Sequence, residues 1–210
     1  MGFGLLLFGF SFLLDYGILL NNDYGIGFDI YPDLAGFILM FIALRKLSPY
    51  GRGFRYAQYF CYPLFAVGGA LIALPLLSLA GAHLSLIKTA IDYVYFARDL
   101  LTALLCIMLF AGIRELSLDV ELPKIARRSV IAFVLVMLFF IPRSALELIS
   151  FTDAQRSFLI LWYQLFWYIC LFFILFLCFN CYMYICYEGE EDPEIKESKI
   201  LKFLNKLHNK

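Results

Sequence analysis

The sequence predicts an all-α fold: a polytopic integral membrane protein of about six transmembrane helices with both termini cytoplasmic. Three observations carry that expectation. The chain is 63% hydrophobic and only 16% charged, where soluble domains carry roughly 25% charged residues. Its 210 residues and mean hydropathy of +0.82 break into apolar windows of about 20 residues, the length a helix needs to cross the hydrocarbon layer. Lys and Arg gather in alternate links between those windows.

The windows fall at 3–20, 27–44, 59–80, 84–113, 129–149 and 158–187. The first follows Met1-Gly2-Phe3-Gly4, with no basic n-region and no small-residue cleavage site, so it reads as a retained helix and not a signal peptide. It joins the second across Asn21-Asn22-Asp23-Tyr24-Gly25, a turn-rich link. Pro32 suits a first helical turn, where its missing N–H loses nothing. The rigid second helix then starts near Pro32, residues 25–31 are irregular, and Asp33 sits on the positive end of the helix dipole.

The third window carries two small-xxx-small steps, Ala66/Ala70 and Gly69/Ala73, which permit close helix approach. Packing within the bundle is the expected use; docking of a separate membrane subunit is the alternative. Pro75 offers a kink in the same helix, and Pro142 should kink or end the fifth. The sixth window is longer than a bilayer requires, so it tilts or projects.

After residue 187 the composition switches. Glu188, Glu190, Glu191, Asp192 and Glu194 form an acidic linker, and Ile200, Phe203, Leu204 and Leu207 then share one face of a lysine-rich amphipathic helix. That helix is expected on the inner leaflet or on a cytoplasmic partner. The chain thus divides into a bundle, 1–187, and a cytoplasmic segment, 188–210.

Orientation follows from the basic residues. The links after windows two and four hold Arg45, Lys46, Arg52 and Arg55, then Arg114, Lys124, Arg127 and Arg128, and the tail holds five lysines. The other side has only Lys88, Arg143 and Arg156. The positive-inside bias therefore places both termini in the cytoplasm of a plasma-membrane protein. Tyr56, Tyr59 and Tyr62, and Tyr182, Tyr184 and Tyr187, mark the inner ends of windows three and six, while Trp162 and Tyr163 mark the opposite interface. All 6 cysteines lie in apolar stretches. Cys178-Phe-Asn-Cys181 is formally C-x-x-C but reads as small buried hydrophobes.

In that orientation Asp15, Asp29, Asp33, Asp92, Arg98, Asp99, Arg143 and Glu147, with Gln164, lie between the midplane and the outer surface. A charge at bilayer depth costs at least a few kcal/mol and persists when paired, hydrated or used. Lys88, Asp92 and Asp99 share one face of window four, with Tyr95 beside them; Arg98 points about 100° round the helix. Arg143 and Glu147 are an i, i+4 pair. Two readings follow. In one, these are internal pairs, Lys88 with Asp92, Arg143 with Glu147, and Arg98 with a carboxylate of the first two helices. In the other, Asp29, Asp33, Asp92, Arg98, Asp99, Arg143 and Glu147 line an outward-opening pocket for a small polar or cationic solute.

Catalytic signatures of zinc proteases, serine hydrolases and nucleotide-binding loops are missing, so no catalytic residue, metal ligand or cofactor is assigned. His83 and His208 stand far apart in sequence. A carboxylate dyad from Asp29 or Asp33 with Asp92 or Asp99 is a third reading, an intramembrane aspartyl-type hydrolase. The formal net charge of +0 argues against a nucleic-acid partner.

The stretch Phe28-Asp29-Ile30-Tyr31-Pro32-Asp33-Leu34-Ala35-Gly36-Phe37 resembles the D-I-x-P-D-x-x-G-[YF] opening of the second helix in a group of small bacterial multi-pass membrane proteins. That resemblance singles out Asp29, Pro32, Asp33 and Gly36 and implies no activity. In size, helix number and predicted topology the chain is also similar to the substrate-binding subunits of energy-coupling-factor transporters. That likeness implies an outward-facing ligand pocket and a membrane partner docked through Ala66, Gly69, Ala70 and Ala73. The expected role is a solute-binding or transport component; the alternative is a non-catalytic structural or accessory subunit.

Overall fold

The apolar windows fold as helices, with one exception near the N-terminus. The computed structural model describes residues 2–14, 17–21, 26–29, 33–79, 84–146 and 153–188, with side chains over 2–14, 33–77, 86–140 and 162–185. In chain order these form α1 (Gly2–Ser11), β1 (Gly17–Asn21), β2 (Ile26–Asp29), α2 (Asp33–Leu47), a 3₁₀ turn (Ser48–Tyr50), α3 (Arg52–Leu79), α4 (Leu84–Asp119), α5 (Pro123–Leu146) and α6 (Asp153–Glu188). The acidic linker and amphipathic helix expected over the tail lie outside the described residues from 189 onward.

The exception corrects the first two windows. α1 ends at Ser11, whose hydroxyl turns back to donate to the Phe8 carbonyl at 2.7 Å. The chain then runs as two antiparallel strands, with Gly17 opposite Asp29, Ile18 opposite Phe28 and Leu19 opposite Gly27, and an irregularity between Leu19 and Asn21. A short apolar run such as Gly17-Ile-Leu-Leu satisfies helix and strand patterns equally; here the Asn- and Gly-rich link that follows closes it into a hairpin. α2 starts at Asp33, so that residue does occupy a first helical turn.

The remaining helices are longer than their apolar windows because their polar ends are helical too. Pro123 opens α5 at a position that needs no N–H. α4 ends in a Schellman turn: the Leu122 N–H donates to the Ser117 carbonyl at 2.8 Å, and Glu121 takes the left-handed conformation at φ 57°. α3 continues through both Pro63 and Pro75, and α5 continues past Pro142 to Leu146.

Each helix packs on the next, and α6 closes back onto α1, giving a ring of six. Its centre is apolar: Leu6, Phe10, Phe37, Met40, Leu109 and Ile174 are all buried. Phe139, Phe140 and Trp167 form an aromatic knot between α5 and α6, with Phe139 and Trp167 ring centroids 5.0 Å apart. Cys61, Cys106, Cys170, Cys178 and Cys181 are buried within this core, as expected of small buried hydrophobes. Cys186 has no described side chain. Stretches Arg52–Leu77, Leu86–Asp119 and Trp162–Ile185 of α3, α4 and α6 are long and apolar enough to cross a membrane.

The bundle has two distinct ends. One carries Arg45, Lys46, Arg52, Arg55, Arg114 and Arg127 and is called here the basic end; the hairpin marks the other. At the basic end α3 and α4 meet backbone to backbone: a Cβ on Gly53 would fall 2.5 Å from the Gly112 nitrogen and 2.7 Å from the Met108 carbonyl oxygen. α1 and α2 cross in the same way, with a Cβ on Gly36 only 2.8 Å from the Gly9 carbonyl oxygen. Further along α3, in the segment that carries the small-residue stripe, Gly68 makes the close contact within the bundle, against the Leu34 backbone. Gly69 has nothing within 4 Å, and Ala66 and Ala73 are exposed.

The Gly53–Gly112 contact yields a direct test. Gly53→Ala places a methyl against backbone that cannot rotate away, so it should destabilise the detergent-purified protein by about 1–3 kcal/mol. Gly69→Ala should leave the melting temperature unchanged. Equal melting of the two variants would show that the contact does not hold α3 to α4.

Candidate functional site

The site begins with a steric fact about α4. Neighbouring residues on a helix diverge by about 100°, so Arg98 points into the ring while Asp99 lies at its edge. Arg98 is 8% exposed and Asp33, on the first turn of α2, is 5% exposed. The guanidinium Nη1 donates to Asp33 Oδ2 at 2.9 Å. Its Nε and Nη2 both donate to Asp99 Oδ1, at 3.2 and 3.1 Å. The Tyr95 ring lies 4.8 Å from the guanidinium carbon, within cation–π range. Arg98 is therefore held on three sides, and it ties α2 to α4 across the ring.

Local structure explains why Asp33 is the partner. A carboxylate at a helix N-terminus is stabilised by the helix dipole, by up to about 2 kcal/mol in partly buried geometry. Charge-assisted hydrogen bonds to a guanidinium add to this. Together they offset the desolvation that a buried pair suffers, provided both members are present.

Beside the triad lies a small crevice lined by Leu13, Arg98, Asp99, Thr102, Phe140 and Trp167, with about 10 Å³ of water-accessible space. That is room for about one water molecule. Its walls come from α4, α5, α6 and the turn after α1. Thr102 is buried and stands one turn from Arg98 on the same face of α4. The crevice thus offers donors from Arg98, a carboxylate and a hydroxyl beside an aromatic wall, a set suited to a water, a small cation or a small polar group.

Of the residues expected here, the structure brings together Asp33, Arg98 and Asp99. The carboxylate anticipated for Arg98 from the first two helices is Asp33. Asp92 is exposed roughly 10 Å further along α4. Lys88 is exposed as well, and no ion pair joins the two among the described residues. Asp29 closes strand β2 opposite Gly17, and that strand packs against α3. The side chains of Asp29 and Arg143 lie outside the described residues, as do Asp15 and Glu147. Gln164 is exposed on α6 and donates to the Tyr168 hydroxyl at 3.3 Å.

Thr102, Phe140 and Trp167 are the site residues that sequence reasoning missed. Thr102 could have been found, being three and four residues beyond Asp99 and Arg98. Trp167 sits among apolar neighbours with nothing to distinguish it from core. Among the described residues no cluster of His, Cys, Asp and Glu could hold a metal ion.

A ring of helices with membrane-length apolar stretches and an internal ion triad defines a helical membrane protein. Comparison with protein families, characterised proteins and solved structures finds no match.

Breaking a buried pair from one side strands the other charge, at a cost of about 3–5 kcal/mol. Arg98→Gln should therefore melt well below the parent, and Asp33→Asn in the Arg98→Gln background should recover part of the loss. A double-mutant cycle by thermal denaturation reads the coupling. Strictly additive losses would mean that the two side chains do not stabilise one another.

Proposed function

We propose that the chain is a multi-pass protein of a bacterial inner membrane, with all six helices crossing and both termini cytoplasmic, and that it serves as a solute-binding or transport component. The polar site of Asp33, Arg98, Asp99 and Thr102 then faces the outer half of the bilayer and takes a small cation or a small hydrogen-bond donor. The observation that carries this reading is the placement of three charged groups beside a water-sized crevice, where an unused charge costs several kcal/mol.

Several features support the topology. The basic end collects the Lys and Arg expected on the cytoplasmic side. Exposed Tyr56, Tyr59, Tyr182 and Tyr184 sit toward that end and exposed Trp162 toward the other, as interfacial anchors do. α1 and α2 have 10 and 15 residues, about 15 and 22 Å, too short to cross about 30 Å of hydrocarbon alone. The hairpin extends both, and it packs against α3, which helps cover backbone that could not face lipid unpaired. Arg98 stands roughly 21 Å along α4 from Gly112, which puts it in the outer third if Gly112 marks the inner boundary. The likeness in size and helix number to energy-coupling-factor binding subunits agrees with this role.

A second reading is supported by the size of the crevice. Room for one water suits an internal staple, and the protein would then be a structural or accessory subunit whose triad sets helix register. A hydrolytic dyad draws less support, because Asp33 and Asp99 each accept a hydrogen bond from Arg98, whose guanidinium occupies the place between them.

Asp99→Asn separates the first two readings, since it leaves the Asp33–Arg98 pair in place. Thermal shifts of the purified protein against monovalent cations, primary amines and neutral amino acids should reveal at least one stabilising compound. Asp99→Asn should weaken that stabilisation about tenfold in apparent affinity, the equivalent of one charge-assisted hydrogen bond. A panel in which no compound stabilises the parent, with Asp99→Asn merely melting lower, selects the accessory subunit.

A further inference from the structure

A cavity much larger than the crevice lies at the opposite end from the triad. Between α4 and α5 a cleft of about 700 Å³ runs along the helices near the basic end. Its deeper wall is apolar, with Phe110, Val130 and Phe133, and its end toward the α4–α5 turn is polar, with Arg114, Glu115 and Ser129. Arg114 and Glu115 are both exposed, and neither forms an ion pair among the described residues. The Ser129 hydroxyl donates to the Ala126 carbonyl at 2.8 Å, which leaves its oxygen able to accept.

Such a cleft has the polarity of a phospholipid, an apolar trough leading to a charged rim. It extends from Ile107 to Leu118 on α4, roughly 16 Å, comparable with an acyl chain plus headgroup. The charges choose among lipids. One base and one acid line the rim, so the cleft carries no net charge of its own. Arg128 is turned away, its guanidinium 5.4 Å from the Phe176 ring on α6. Lys124 and Arg127 on the neighbouring surface are equalled in number by Asp119 at the end of α4 and Glu121 in the turn. An anionic headgroup would meet Glu115. A headgroup with a phosphate and a primary ammonium would meet Arg114 with the first, and Glu115 and Ser129 with the second.

We propose that the α4–α5 cleft binds a zwitterionic aminophospholipid of the phosphatidylethanolamine class, with its phosphate on Arg114, its ammonium on Glu115 and Ser129, and an acyl chain along Phe110, Val130 and Phe133. The proposal rests on the basic end lying at a bilayer surface, and it is independent of what the triad binds.

The full chain, purified in detergent and mixed with equal amounts of dioleoyl phosphatidylethanolamine, phosphatidylglycerol and phosphatidylcholine, is read by native mass spectrometry. Phosphatidylethanolamine should be retained about tenfold over both competitors, because phosphatidylcholine lacks ammonium N–H donors and phosphatidylglycerol lacks the cation. Glu115→Gln should bring the ethanolamine-to-choline ratio close to one, and Arg114→Gln should lower retention of all three lipids. Both positions are exposed, so both variants should fold.

Preference for phosphatidylglycerol, equal retention of the three lipids, or an unchanged ethanolamine-to-choline ratio in Glu115→Gln would overturn the proposal. Sidedness is read separately, by labelling Arg114→Cys in sealed vesicles. Labelling from the outer side would reverse the topology while leaving the lipid preference in detergent as it is.

Discussion

The ion pair between Asp33 and Arg98 sets the terms for the half of the bundle nearer the hairpin. Two charges leave water there, and each is tolerable only while the other remains within hydrogen-bonding distance. The pair also depends on where α2 begins. Asp33 sits on the first turn, where it gains from the helix dipole and reaches Arg98 on α4. α1 ends at the corresponding height because it crosses α2 at Gly9 and Gly36, backbone against backbone.

The other end is held by a different force. Where α3 and α4 meet at Gly53 and Gly112, no polar side chain is involved, and close backbone approach maximises dispersion contacts along both helices. In lipid, where burial of apolar surface gives little drive for helices to associate, such contacts matter more than hydrophobicity. The apolar residues that make each helix membrane-compatible do not by themselves say which helices touch. Glycine positions at both ends and the charged triad at one of them supply that information.

This explains which features could be read in the sequence. Helices α3 to α6 were legible because long apolar windows have one common solution in a bilayer, with helical polar ends lengthening them on both sides. The strands between α1 and α2 were not, since Gly17-Ile-Leu-Leu carries no periodicity that separates strand from helix, although Pro32 marked where α2 begins. Arg98 and Asp33 stood out because charge is scarce in these windows, and the partner relation between them followed from Arg98 and Asp99 facing different ways round α4. Trp167 and Phe140 stayed hidden, because an aromatic that lines a crevice has the same pattern as one that fills a core. Which small residue of α3 packs inside the bundle was not legible: Gly68 meets Leu34, while Gly69 faces open space, and the motif Ala-Val-Gly-Gly-Ala does not distinguish the two faces.

The same contacts limit how the crevice could ever enlarge. Its walls belong to α4, α5, α6 and the turn after α1, and the aromatic knot of Phe139, Phe140 and Trp167 packs α5 to α6. α1 and α2 are locked to each other at Gly9 and Gly36, so any motion of the turn carrying Leu13 carries α2 with it. α2 in turn holds Asp33, and Asp33 holds Arg98. A movement of the α1–α2 pair against α4 would open the crevice and would strain or break the Asp33–Arg98 bond. Asp99, one residue along the same helix as Arg98, would move with the guanidinium and remain its partner. The arrangement therefore permits an opening that leaves Arg98 one counterion throughout, which is the condition for moving a charged site within a membrane without stranding it.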